Sequence, residues 1–131
     1  MNLSKNFTLE ELCETSHNVP NRPSLHEQEH LKKLCVNVLQ PLRDYIGKSI
    51  HVNSGYRNPI VNSLVKGSTN SAHMLGTAAD ITLHNREENK KMFDWIEENC
   101  EYRQLINEKD YSWIHVEYRE GDNKKQNLII K

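Results

Sequence analysis

The segment Ser71–Ile81, reading Ser-Ala-His-Met-Leu-Gly-Thr-Ala-Ala-Asp-Ile, constrains the fold of this chain more than any other. His73 and Asp80 stand seven positions apart, with a glycine at Gly76 and the small residues Thr77, Ala78 and Ala79 between them. Glycine allows the backbone to turn back on itself, and the small residues let the returning run pack closely. Beyond the turn, Ala79-Asp80-Ile81-Thr82-Leu83 alternates as a strand, with Ala79, Ile81 and Leu83 on one face and Asp80 on the other. His115 lies far downstream in Trp113-Ile114-His115-Val116, an apolar run that also reads as a strand. There Trp113, His115 and Glu117 share a face opposite Ile114 and Val116. The rest of the chain is expected to hold His73, Asp80 and His115 together.

Local signals place the surrounding elements. Thr8-Leu9-Glu10-Glu11 is a capping box, and Phe7 and Leu12 occupy the positions of a hydrophobic staple, so a short helix is predicted from Leu9 to about Thr15. Two prolines punctuate the loop Ser16–Pro23. Ser24-Leu25-His26-Glu27 is a second box and opens the longest helix. Its apolar stripe is Leu31, Leu34, Cys35, Val38, Leu39, Leu42, Tyr45 and Ile46; Pro41 predicts a kink or break, and Gly47 an end. Ile50–Asn53 reads as a strand, followed by a turn through Ser54-Gly55-Tyr56-Arg57. Asn58-Pro59 then starts a helix with Ile60, Val61, Leu64 and Val65 as its buried face and Gly67 as its terminator. Asn85 with Glu88 caps a further helix burying Met92, Phe93, Ile96 and Cys100. Strands follow near Tyr102–Asn107 and Ser112–Tyr118, and Asn127–Ile130 is an edge-strand candidate. The order α-α-β-α-β-α-β-β predicts an α+β fold, helices packed on a small, mainly antiparallel sheet.

Composition narrows the function classes. The 131 residues suggest one domain spanning 1–131. With 17 basic and 18 acidic residues the formal charge is -1, and no basic cluster interleaves with aromatics, which argues against a nucleic-acid partner. A mean hydropathy of -0.81 and short apolar runs argue against a membrane span. Met1–Phe7 lacks the apolar core of a signal peptide, so synthesis in the cytoplasm is expected. Cys13, Cys35 and Cys100 are odd in number and form no C-x-x-C pair, and read as buried thiols.

Two imidazoles and a carboxylate are the nitrogen and oxygen donors that zinc takes, and three protein ligands leave a fourth tetrahedral position for water. Each residue singly has a plainer reading: a solvated loop histidine, a hydrogen-bonded strand aspartate, a satisfied core histidine. His17, His26, His30, His51 and His84 have no motif around them and read as structural or solvated.

A set of blocks changes that balance. Ser54-Gly55-Tyr56-Arg57-Asn58-Pro59, Val61-Asn62, Gly67-Ser68, Ser71-x-His73-x-x-Gly76-x-Ala78-Ala79-Asp80-Ile81 and Trp113-Ile114-His115-Val116 resemble the zinc D-alanyl-D-alanine carboxypeptidase-like peptidases. These share their fold with the hedgehog signalling domain. The opening Phe7–Leu12 and Leu39–Arg43 are similar to the short, single-domain form of phages and some bacteria, and the resemblance runs from about Phe7 to Tyr118.

The resemblance implies a hedgehog/DD-peptidase-like fold, one zinc ion held by His73, Asp80 and His115, and a peptidoglycan stem peptide as substrate. It implies that Arg57 binds the substrate carboxylate or the developing oxyanion, that Ser71 hydrogen-bonds substrate while competing with a loop-capping role, and that Trp113 lines the cleft unless it is a packed core residue. Many relatives carry an acidic residue three positions before the last ligand, where this chain has Ser112. The short and hedgehog-type members carry a glutamate ending the preceding strand instead, which points to Glu108 as general base with Asp110 as the substitute. The implied activity is D-Ala-D-Ala carboxypeptidase-like. The alternatives are an L-alanyl-D-glutamate endopeptidase acting as a phage lysin, reaching the wall through a holin, and a non-catalytic zinc-binding interaction domain. A monomer is expected.

Overall fold

The helical half of the chain begins where the two capping boxes place it. The computed structural model describes residues 1–131. In α1 (Leu9–Leu12) the Thr8 hydroxyl accepts from the Glu11 amide and the Glu11 carboxylate accepts from the Thr8 amide. Phe7 and Leu12 are both buried, as a staple requires. The helix is one turn long and ends at Cys13, short of the predicted Thr15. Ser24 and Glu27 make the same reciprocal pair at the start of α2 (Leu25–Leu34).

The expected disturbance at Pro41 is a π-helical turn, Cys35–Leu39, joining α2 to α3 (Gln40–Ile46). There the Gln40 amide donates to the Cys35 carbonyl five residues back. Proline lacks an amide hydrogen and its ring crowds the carbonyl four residues earlier; the wider turn relieves that crowding. The extra residue rotates the helix beyond it by about 100°. Leu31, Leu34, Cys35, Val38, Leu39 and Leu42 are therefore buried as expected, while Tyr45 leaves the stripe and stands 59% exposed, stacked on Trp95. Gly47 closes the helix in the left-handed region, at φ 76°.

Five strands form the main sheet: β3 (His51–Ser54), β4 (Ala78–Thr82), β5 (Gln104–Glu108), β6 (Trp113–Glu117) and β7 (Gln126–Ile130), in the order β3-β4-β6-β5-β7. All pairs are antiparallel except β5 with the edge strand β7. A small hairpin, β1 (Asn2–Ser4) with β2 (Phe7–Thr8), precedes α1 and has no counterpart in the sequence periodicity. The α+β class, with helices on a mainly antiparallel sheet, is as expected.

Period two divides the sheet faces. Ala79, Ile81, Leu105, Ile114 and Val116 join the core with Met92, Phe93 and Ile96 of α5 (Arg86–Asn99) and the α2–α3 stripe. The opposite face carries Asp80, His115 and Ile106 on a single rung. No helix is long and apolar enough to cross a membrane.

One helix faces differently from its prediction. In α4 (Pro59–Leu64) Val61 and Asn62 are buried, whereas Ile60, Leu64 and Val65 are exposed. The Asn58 side chain caps the Val61 amide at 2.9 Å. The Asn62 side-chain amide donates to the Ser68 carbonyl at 2.9 Å, and the Gly67 amide returns to the Asn62 carbonyl at 2.8 Å. The inward face of α4 is thus set by a polar side chain that closes the following loop. The helix ends at Leu64, before the predicted Gly67, with Lys66 in the left-handed region at φ 58°.

The turn after His73 depends on Gly76, which has φ 75° and sits where an added Cβ would come 2.7 Å from the Glu27 carbonyl oxygen. Gly76→Ala is therefore expected to destabilise the protein by about 1–3 kcal/mol, from left-handed strain plus the collision. Urea unfolding of the two proteins measures the difference; equal midpoints would contradict it.

Candidate metal centre and cleft

Strand register delivers two of the three candidate ligands. Asp80 of β4 and His115 of β6 are direct cross-strand partners, which brings their side chains together on the polar face. His115 Nδ1 lies 2.9 Å from Asp80 Oδ1. The third arrives on a 3-10 turn, Ala72–Leu75, ended by Gly76. His73 Nε2 stands 3.3 Å from the same Asp80 oxygen.

His73 is fixed from behind. Its Nδ1 donates to the Gly55 carbonyl at 2.7 Å, which leaves Nε2 as the atom facing Asp80. Its backbone amide donates to the Ser71 hydroxyl at 3.2 Å, and its carbonyl accepts from the Arg57 amide at 3.1 Å. Gly55 is required at the back of this arrangement, because an added Cβ would meet the Leu12 carbonyl oxygen at 2.2 Å. Asn21, which carries no signal in the sequence, organises the same loop. Its amide nitrogen donates to the carbonyls of Cys13 and Tyr56, and its oxygen accepts from the Asn58 amide.

The candidate donor atoms all lie within 4.8 Å of one another. Ligands of a tetrahedral zinc at about 2.1 Å stand roughly 3.4 Å apart, so modest side-chain adjustments suffice. Electrostatics favour the same conclusion. Burial opposes the charged form of Asp80, but the His115 and His73 imidazoles beside it more than reverse this and hold the carboxyl well below its usual range. The group is an anion near neutrality, as a metal ligand must be. A buried His-Asp-His cluster with one histidine oriented by a carbonyl could hold a metal ion.

The cluster opens into a cleft of about 440 Å³ whose lining includes Arg57, Ser71, His73, Asp80, Glu108 and His115. Arg57 is half-buried and its Nε has no partner in the protein. Burial draws its guanidinium below the ordinary value, with the Asp80 charge partly opposing. Glu108 ends β5, two residues beyond the Ile106–His115 rung. Burial, and then the Asp80 charge, raise its carboxyl above the usual range, with His115, His73 and Lys109 pulling the other way.

One candidate falls elsewhere. Asp110 belongs to a turn in which Lys109, Asp110 and Tyr111 are all left-handed, and its exposed carboxylate faces Arg86 rather than the cleft. Trp113 pairs with Glu108 across the strands, on the face that carries His115 and beneath the Lys109 ammonium at 5.8 Å. Ser71 both caps the His73 amide and lines the cleft. The three cysteines are free, Cys35 and Cys100 buried and Cys13 half-buried.

The cleft also holds residues that no sequence motif singles out: Arg103, Gln104, Glu117, Arg119, Lys124 and Gln126. Only Glu117 has a visible signal, its place on the His115 face of β6.

The family model for Peptidase M15 matches residues 5–117, a span that takes in the His73–Asp80–His115 cluster, Arg57 and Glu108. No curated protein matches the chain. Because the family match covers most of its length, the chain belongs to the Peptidase M15 family, whose members are zinc-dependent peptidases, and its α+β architecture fits the hedgehog/DD-peptidase-like fold of that family.

Proposed function

We propose that this protein is a zinc peptidase that hydrolyses peptide bonds of peptidoglycan stems, with D-Ala-D-Ala carboxypeptidase-like cleavage as the first reading. The observation that carries it is the convergence of His73 Nε2, Asp80 Oδ1 and His115 Nδ1 in one cleft with Glu108 and Arg57. In this reading those three atoms hold the ion. When bound, zinc acidifies a water to a pKa of about 7 and polarises a carbonyl.

The chain's own residues do the rest. Glu108 accepts a proton from the attacking water and, as the carbon–nitrogen bond breaks, returns it to the leaving amine. Arg57, which lines the cleft, places its guanidinium on the oxyanion or on a substrate carboxylate. Ser71 keeps His73 in place through its amide and offers its hydroxyl to substrate.

A second reading, endopeptidase cleavage at the L-alanyl-D-glutamate bond, is favoured by the run of the cleft along the strands on both sides of the cluster, to Glu108 one way and to Glu117 and Arg119 the other. Zinc-loaded protein digesting purified peptidoglycan, followed by mass spectrometry of the muropeptides, separates them. Loss of terminal D-alanine supports the first reading and cleavage next to the lactyl-linked L-alanine the second. Zinc-loaded protein inert on all muropeptides would overturn both in favour of an interaction domain.

A further inference from the structure

The polar face of the sheet does not end at the candidate metal centre. Two residues past His115 on β6 stands Glu117, opposite Gln104 of β5, which in turn lies beside Gln126 of β7. At about 3.3 Å per residue this rung is some 7 Å from the His115 rung, a distance of about two residues of extended peptide. Around it gather three cations that line the same cleft, Arg103, Arg119 and Lys124.

Part of this charge is internally balanced. Glu117 is only 3% exposed, and its carboxylate accepts from Thr77 Oγ1 at 3.1 Å and from Arg119 Nε at 2.5 Å, with Arg103 Nε at 3.8 Å. Arg103 Nη1 reaches Asp122, which does not line the cleft. The buried carboxylate therefore fixes the Arg119 guanidinium by its inner nitrogen, while Arg103 is held by Asp122 and stands at ion-pair distance from Glu117. Both terminal nitrogens of Arg119 and the Nη2 of Arg103 keep no acceptor within the protein, and the Lys124 ammonium pairs with no carboxylate. Facing the cleft at this end are three cations and one carboxylate, whose Oε2 already accepts two hydrogen bonds. Ordinary surface cations bind anions weakly, but a guanidinium held in place by a buried partner offers its remaining donors without the usual ordering cost. The Gln104–Gln126 amide pair, 3.1 Å apart, adds neutral donors beside them.

We infer that this end of the cleft is a carboxylate-recognition subsite, in which Arg103, Arg119 and Lys124 select substrates bearing an acidic group away from the scissile bond. The inference rests on the peptidase reading for the position of that bond. It makes Arg103, Arg119 and Lys124 specificity residues, separate from Arg57 beside the metal.

Two synthetic peptides differing by one carboxylate test it: L-Ala-γ-D-Glu-L-Lys-D-Ala-D-Ala and its D-isoglutamine counterpart, in which that carboxylate is an amide. The zinc-loaded protein is expected to prefer the acidic peptide in kcat/KM by about tenfold or more, the factor a charge-assisted hydrogen bond is worth. Arg119→Gln and Lys124→Gln should each move the ratio toward one, chiefly through KM. The Lys124 variant guards against a folding defect, since Lys124 has no carboxylate partner to leave behind. Equal kcat/KM for the two peptides in the wild type, or variants that lower both alike and leave the ratio unchanged, would overturn the subsite while leaving the peptidase standing. If neither peptide is cleaved, the muropeptide digest decides the peptidase reading, and calorimetric titration of both peptides decides the subsite alone. Tighter binding of the acidic peptide, lost in Lys124→Gln, supports it; equal binding overturns it.

Discussion

His115→Ala is expected to yield a folded protein that retains no zinc and hydrolyses no peptide. The fold should survive because Ile114 and Val116, the neighbours of His115 on β6, keep the core face of the strand intact. The metal should not, because two ligands from a turn and a strand cannot close a site that zinc fills with three protein donors. Removal also strips the Asp80 carboxylate of its 2.9 Å partner. A buried carboxylate left with less compensation binds protons more readily and metal less well. Asp80→Ala should act the same way from the other strand. Atomic absorption on the gel-filtered proteins, with near-ultraviolet circular dichroism to confirm folding, measures the effect. A variant that kept full zinc occupancy would place the ion elsewhere.

Glu108→Gln is expected to separate metal from rate. The amide matches the carboxylate in shape and does not touch the three candidate ligands, so zinc content should be unchanged. It cannot accept a proton from water, so kcat/KM should fall by about 10²–10⁴, the usual contribution of a positioned general base. Asp110→Asn should leave the rate near wild type, because the Asp110 carboxylate faces Arg86 at the surface. The pH profile gives an independent sign. A base must be ionised to work, so activity should rise with pH through the Glu108 pKa. In the metal-free protein burial and the Asp80 charge raise that pKa, whereas a bound dication beside Asp80 lowers it, so the limb is identified by its dependence on Glu108. The limb should vanish in Glu108→Gln. Full activity in that variant, with loss in Asp110→Asn, would transfer the role of base to Asp110.

The features legible in the chain divide from the hidden ones along a physical line. The capping boxes at Thr8 and Ser24 are legible because their bonds close within four residues. The pairing of Asp80 with His115 is half legible: strand alternation puts each on a polar face, but their register needs the sheet itself. Pro41 announces a disturbance without its form, and the π turn beside it is what moves Tyr45 out of the stripe. The apolar pattern of α4 misleads because it leaves out Asn62, whose buried amide ties down the Ser68 loop. Asn21 and the cationic end of the cleft have no local signature. Asn21 acts on the carbonyls of residues 8 and 35 positions away, and Arg103, before β5, meets Arg119 and Lys124, of the β6–β7 connection, only in the folded sheet.

The central claim is that three particular atoms hold the ion, and anomalous scattering at the zinc edge from crystals of the zinc-loaded protein tests it most directly. The account predicts one peak, bonded to His73 Nε2, Asp80 and His115 Nδ1 at about 2.0–2.2 Å, with an open position toward Glu108. A peak on other residues, such as the His26–His30 pair of α2, or no peak at the cluster in crystals soaked with excess zinc, would contradict it.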